Sequence, residues 1–258
     1  MTSKIRAALT GLSVRALLAD LDDTLFDHSY ATSQALGVLH AEVPAFGGWA
    51  REELVARHHV ILEEIHQAVL AGRVTIDVAR ITRFQRLLDA AGAPSDASRE
   101  ARDGDAAHVA RIYRERYEAA WQPVPGALAL AAEVRRAGVG LIIVTNNVTR
   151  EQELKLRHCG LMPYVDALIT SESTSATKPD PRIFEAALAA ARVPAAEAVM
   201  LGDSWSTDIA GARAAGVRPV WFNPTRAPAP AGAAACEELQ ALEPLADVWR
   251  MLMGAPRT

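Results

Sequence analysis

From Pro123 onward, short apolar runs alternate with stretches of helical periodicity, and that alternation leaves the chain few architectures to adopt. Helices are predicted over Gly126–Ala137, Thr149–Cys159, Pro181–Ala191 and Ser206–Ala215. The strands predicted between and after them are Val139–Val144, Val165–Ile169, Ala198–Leu201 and Val217–Phe222. Repeated βα units of this kind imply a parallel sheet covered by helices. A Pro/Ala-rich segment, Ala227–Ala235, reads as a surface linker before a last predicted helix, Glu237–Leu252. One further apolar run lies far upstream. Val14–Ala19 stops at the acidic cluster Asp20-Leu21-Asp22-Asp23-Thr24, as a buried strand ending in a polar loop would.

Between that first strand and the βα repeats, the pattern is helical throughout. Leu54, Val55, His58, Ile61, Leu62, Ile65 and Val69 recur at helical spacing, as do Val78, Ile81, Phe84, Leu87 and Leu88, then Val109, Ile112 and Tyr113. Gly72 and the Gly92/Pro94 pair mark connectors. The expected fold is therefore α/β: a doubly wound, Rossmann-like parallel sheet of about five strands flanked by helices, with an all-helical cap inserted after the first strand. Residues 1–27 and 123–258 would form the core, and 28–122 the cap. An insertion at that point would sit over the sheet edge where ligands bind in such folds.

A net charge of −4 and a pI near 6.0 provide no basic surplus for a nucleic-acid polymer, although a small anion can still bind a local pocket. Cys159 and Cys236 stand apart from any CxxC or His-rich spacing, so they read as buried thiols in a reducing compartment. No apolar run reaches the ~18 residues of a membrane span, and Met1–Ser13 lacks a long apolar segment, so a cytoplasmic protein without membrane contact is expected. Lysine occurs only at Lys4, Lys155 and Lys178 in a chain that otherwise uses arginine, which makes those three positions worth following.

Four polar clusters fall at or just after the carboxyl ends of predicted strands: Asp20/Asp22/Thr24, Thr145/Asn146, Lys178 and Asp203/Asp208. Taken singly, each has an ordinary reading: a turn at Asp20 or Thr24, a helix cap at Thr145 or Asn146, a solvated charge at Lys178, a first-turn acid at Asp208. Together they concentrate carboxylates at one sheet edge. Such a cluster repels itself unless a lysine and a divalent cation neutralise it, and an all-oxygen site favours Mg2+.

These residues, in this order, resemble the haloacid dehalogenase superfamily. Its hhhhDxDxT motif is matched by Leu17-Leu18-Ala19-Asp20-Leu21-Asp22-Asp23-Thr24, and its strand ending in Ser/Thr by Thr145. Its lysine followed by Pro-Asp-Pro is matched at Lys178–Pro181, and its GDxxxxD at Gly202–Asp208. The insertion resembles the family's helical type-1 cap. Thr207-Asp208-Ile209, Gly211 and Trp221-Phe222-Asn223 bring the chain nearest the branch of pyrimidine 5′-nucleotidases and N-acylneuraminate-9-phosphatases, although Ser175 replaces that branch's usual glycine.

The resemblance implies a role for each matched residue. Asp20 would be the nucleophile that becomes an aspartyl phosphate, and Asp22 the general acid and then base. Thr145, Asn146 and Lys178 would bind the phosphoryl group with Asp20. Asp20, the backbone carbonyl of Asp22 and Asp203 would hold Mg2+, while Thr24, Ser204 and Asp208 orient these groups.

Dehalogenases of the family lack the second carboxylate of the first motif, and phosphonatases need a cap lysine that no position between Lys4 and Lys155 supplies. A phosphomonoesterase acting on a small metabolite, such as a nucleoside monophosphate or sugar phosphate, is the leading expectation. A phosphoglucomutase-like mutase and a non-catalytic binding or regulatory protein are the alternatives. The family includes monomers and homodimers. Cap residues considered for selectivity are His28, Ser29, Tyr30, Trp49, Arg83 and Arg86, and Trp205 is a further candidate for ligand contact. His58, His59 and His66 read as ordinary amphipathic-helix residues, and Tyr113, Tyr117 and Trp121 as packing.

Overall fold

The computed structural model describes residues 13–92 and 99–254, the side chains of 99–104 excepted. Residues 1–12, which include Lys4, and residues 93–98, which include Pro94 and the start of the charged segment Asp96–Asp105 read as a solvated helix start, lie outside the described residues. The chain divides into two compact units, one of Met1–Asp27 with Gln122–Thr258 and one of His28–Trp121.

The first unit begins with β1 (Ala16–Ala19), whose residues are all buried, as expected of a strand covered on both faces. The second unit follows, with helices α1 (His28–Glu42), α2 (Arg51–Leu70), α3 (Ile76–Ala90) and α4 (Arg99–Ala119). The Thr75 hydroxyl caps α3 by accepting the Val78 N–H at 3.4 Å. Leu36, Leu39, Phe46, Leu54, Phe84 and Leu87 are fully buried within this unit. His58 joins them at 1% exposure, against Phe84 and Tyr113, and is thus a core residue.

The chain then returns to the first unit. Its remaining elements are α5 (Ala127–Arg136), β2 (Gly140–Thr145), α6 (Thr149–His158), β3 (Ala167–Thr170), a single turn α7 (Ser171–Thr174), α8 (Pro181–Ala191) and β4 (Ala198–Gly202). They end with α9 (Ala210–Ala214), β5 (Arg218–Phe222), β6 (Glu237–Leu239) and α10 (Leu245–Met253). The six strands form one sheet in the order β3-β2-β1-β4-β5-β6, and every pairing is parallel. This is the α/β doubly wound sheet expected. Because side chains alternate across a strand, Ala16 and Leu18 of β1 join Ile142, Val144, Ala198 and Met200 on one face. Phe184 and Ala187 of α8 and Ala212 of α9 cover that face.

The C-terminal segment corrects the sequence reading. The helix predicted over Glu237–Leu252 is a three-residue strand followed by α10, which makes six strands rather than about five. Pro244 stands immediately before α10, where its ring and missing N–H end any helix entering from upstream. The residues before it pair as a charged edge strand instead, Val220 opposite Glu237 and Phe222 opposite Leu239.

β1 is the point where the order reverses, since the chain runs outward through β2 and β3 before crossing back to β4 beside β1. In sheets of this kind, ligands bind outside the carboxyl ends of the strands at that point.

Candidate active site

β1 ends at Ala19, and Asp20 is fixed at its exit by its own N–H, which donates to Leu201 O of β4 at 2.9 Å. The chain then closes a tight loop in which Leu25 and Phe26 donate back to Leu21 O, and Asp23 adopts φ 59°. Asp20 and Asp22 are placed by this loop.

Asp20 is 7% exposed, and its Oδ1 lies 2.5 Å from Lys178 Nζ. The same ammonium reaches Asp208 Oδ1 at 2.6 Å. Lys178 is held there through its backbone: Asn146 Oδ1 accepts the Lys178 N–H at 2.7 Å, and Asn146 Nδ2 donates to the Lys178 carbonyl at 2.9 Å. The Asn146 side chain therefore positions the lysine through both its oxygen and its nitrogen.

Asp203 follows directly from β4. Thr24 Oγ1 donates to its Oδ1 at 3.3 Å, and Trp221 Nε1 donates to its backbone carbonyl at 2.7 Å. Asp208 lies in a wide π-type turn, Trp205–Ile209, and folds back so that its Oδ2 accepts the Ser204 N–H at 3.0 Å. The helix predicted from Ser206 is divided by that turn, a distortion frequent at functional sites. Gly202 makes the fold-back possible, because a Cβ there would stand 2.4 Å from Asp208 Cγ. Trp205 packs edge-on against Trp221 at 4.8 Å, with Arg213 over its ring.

One oxygen from each of Asp20, Asp203 and Asp208 lies within 4.8 Å of the others. Burial pushes the Asp20 carboxyl up to about 7 despite Lys178, and the charges of Asp208 and Asp22 push the same way. Burial takes Asp203 up to about 9, with Asp20, Asp208 and Asp23 adding to the rise. Burial alone would lower Lys178, but Asp20 and Asp208 outweigh it and hold the ammonium charged. Three carboxylates thus cluster around one lysine that pairs with two of them, and their all-oxygen donor set with uncompensated negative charge fits a hard divalent cation such as Mg2+.

Asp22 has its own set of partners. Its Oδ1 lies 2.5 Å from Lys155 Nζ, and its Oδ2 accepts Gln152 Nε2 at 2.8 Å and Asn147 Nδ2 at 3.3 Å. Gln152 Nε2 also donates to Thr145 Oγ1 at 2.8 Å. Thr145 is 2% exposed at the last position of β2, and with its oxygen accepting, its hydroxyl hydrogen is left to donate.

Sequence reasoning assigned no role to Lys155, Gln152, Asn147 or Trp221. The one signal for Lys155 was its rarity as a lysine. Cys159 is a buried thiol, pushed up to about 11 by burial, whereas Cys236 is only partly buried; both are free. No helix among the described residues is long and apolar enough to cross a membrane.

Within the helical unit, His28 Nδ1 lies 2.7 Å from the Tyr117 hydroxyl, Trp49 stacks on Phe46 under Arg57, and Arg86 pairs with Glu64 at the surface. Tyr113, Tyr117 and Trp121 are packed as expected, at 4%, 4% and 9% exposure.

A family model of haloacid dehalogenase-like hydrolases matches residues 14–216. The crystal structure of the HAD-hydrolase YfnB from Bacillus subtilis, bound to magnesium, superimposes with a TM-score of 0.69 at 30% identity, covering 91% of this chain and 98% of that one. The phosphoserine phosphatase of Thermus thermophilus is 34% identical over 237 residues, 81% of this chain and 89% of its own. The pyrimidine 5′-nucleotidase YjjG of Escherichia coli is 36% identical over 114 residues, 43% of this chain and 50% of its own.

Proposed function

This chain belongs to the haloacid dehalogenase-like hydrolases, and on that premise we propose that it is a Mg2+-dependent phosphomonoesterase working through a phosphoryl group carried on Asp20. The reading rests on one observation above all. Asp20, Lys178, Asp203 and Asp208 converge, largely buried, at the strand ends where the sheet order reverses.

In the first step an Asp20 carboxylate oxygen bonds to phosphorus while the ester P–O bond breaks, and protonated Asp22 gives its proton to the leaving oxygen. Lys178, the Thr145 hydroxyl and the N–H groups after Thr145 hold the phosphoryl oxygens as charge develops on them. In the second step Asp22 takes a proton from water, the water oxygen bonds to phosphorus, and the Asp20–phosphorus bond breaks to release inorganic phosphate. Asp20, Asp203 and the Asp22 carbonyl would hold Mg2+, oriented by Asp208, Thr24 and Ser204. Bound there, the ion supplies positive charge to the phosphoryl oxygens.

Asp22 weighs against dehalogenation, since a departing halide needs no proton. The helical unit is taken as the family's cap and as the source of selectivity. The relatives include a phosphoserine phosphatase and a pyrimidine nucleotidase, which supports a small phosphorylated metabolite as substrate. The test is phosphate release across nucleoside monophosphates, sugar phosphates, phosphoserine, phosphoglycolate and an aryl phosphate, with Mg2+ and with EDTA. Turnover that needs both the metal and Asp20 is expected. Turnover that persists in EDTA or in Asp20→Asn contradicts the reading.

A further inference from the structure

The inner face of α6 is unusual for a helix covering a sheet. Its buried residues are Glu151, Gln152, Lys155 and Leu156, so three of the four are polar. Lysine is almost never fully buried unless paired, yet the Lys155 side chain is 3% exposed. An apolar residue of similar size would fill such a position at lower desolvation cost. Packing alone therefore does not account for it.

Its surroundings do. On one side the ammonium meets Asp22 Oδ1 at 2.5 Å, and on the other it lies over the Phe26 ring, 4.8 Å from the centroid. Phe26 is itself fully buried and bridges to Pro123, so the ammonium is confined between the ring and the carboxylate. The other carboxylate oxygen receives Gln152 and Asn147. Asp22 thus has donors on both oxygens, the pattern of a carboxylate acting as an acceptor and the form a general base requires. The Asp22 side chain is 27% exposed, whereas Lys155 and Gln152 that hold it are buried. The two described lysines divide the first motif between them, Lys178 on Asp20 and Lys155 on Asp22. In both places a buried, compact ammonium meets a carboxylate, which suits lysine better than the broad guanidinium fork.

We propose that Lys155 is a positioning residue for the second half of the reaction, clamping the Asp22 carboxylate in the orientation from which it takes a proton from the water that cleaves the Asp20 acyl phosphate. This rests on the phosphomonoesterase reading above. Without Lys155, Oδ1 loses its anchor and only the neutral donors Gln152 and Asn147 hold Oδ2, so the base step loses part of its fixed geometry. The first step, with a leaving group that needs no proton, is unaffected.

The experiment is rapid-mix kinetics of Lys155→Met with 4-nitrophenyl phosphate, whose leaving group departs without acid assistance. The expected result is a kcat lowered ~30-fold or more, within the usual reach of acid–base catalysis, with kcat/KM within ~3-fold of the parent. A burst of nitrophenolate approaching one per active site should accompany it, as the acyl phosphate accumulates. The burst also counts folded sites, so misfolding is not mistaken for slow chemistry. If Lys155→Met does not fold, Lys155→Gln carries the same test. An equal fall of kcat and kcat/KM without a burst, or no change in either, overturns the proposal and leaves the function reading intact. If Asp20→Asn also turns over the aryl phosphate, the function reading itself has failed.

Discussion

At the carboxyl ends of β1 and β4, Asp20, Asp203 and Asp208 cluster, with Asp20 and Asp208 paired to the ammonium of Lys178, whereas in the helical unit Arg83 and His58 lie against aromatic rings with no carboxylate bonded to either among the described residues. The first region gathers an excess of largely buried negative charge, the second a partly buried guanidinium and a buried imidazole. Both depart from the rule that buried charge is paired, and they do so in opposite directions. Burial raises Asp20 and Asp203 but lowers Arg83, and it takes His58 well below its usual value, with Arg83, His28 and His59 adding to the fall. An acidic excess calls for a cation from solution. The helical region instead keeps its imidazole neutral and its guanidinium on the faces of Phe84 and Tyr113, each 4.9 Å away.

The largest effect follows from removing Lys178, the cation that pairs with Asp20 and Asp208 among the described residues. Lys178→Met leaves Asp20 and Asp208 buried without their partner, a loss of roughly 3–5 kcal/mol of stability by analogy with other broken buried pairs. Turnover should fall ~100-fold or more as the phosphoryl oxygens lose a donor. Denaturant melts and steady-state rates measure the two separately. A variant as stable as the parent would show that the three carboxylates do not depend on Lys178.

The pH dependence of stability sharpens the contrast. Carboxyl groups raised to about 7 and about 9 bind more protons folded than unfolded between their ordinary value of 3.8 and those limits. In EDTA the protein should therefore lose stability as pH rises from about 4 towards 9, and Mg2+ should abolish that decline by holding the same groups ionised. Melting temperature against pH, with and without the metal, reads this directly. Identical profiles would remove the case for a cation at this cluster.

His58 has the opposite sign and a smaller effect. Its lowered value means that the unfolded chain binds the proton more readily, so stability is complete above the ordinary value of 6.5 and is lost as pH falls below it. One proton contributes a slope of at most about 1.4 kcal/mol per pH unit. With Mg2+ present, His58→Leu should flatten the loss of stability below pH 6.5, and in EDTA it should leave the decline from 6.5 towards 9 unchanged. If His58→Leu leaves the acid limb intact, the imidazole is not the group responsible.

How much of this was legible in the sequence depended on whether function followed hydrophobic pattern. Asp20, Thr145 and Asp203 stood out because each ends or follows an apolar run, and the structure sets them at strand ends. Lys155 and Gln152 did not, because Thr149-Arg150-Glu151-Gln152-Glu153-Leu154-Lys155 reads as a solvated helix, and only tertiary burial turns its polar face towards Asp22. β6 was misread because Glu237-Glu238-Leu239 has helix-favouring composition, while its pairing with β5 is a non-local contact. His58 followed the apolar spacing of α2, but periodicity does not reveal that a polar ring in that stripe is wholly enclosed.

The central claim is that the phosphoryl group passes through Asp20. Acid quenching during turnover of the best substrate, followed by peptide mass analysis, tests it most directly. A phosphoryl mass increment on the peptide carrying Asp20, chased away when substrate is removed and absent from Asp20→Asn, is the predicted result. An increment on another residue, or its absence in an enzyme that is turning over with the first step complete, would contradict it.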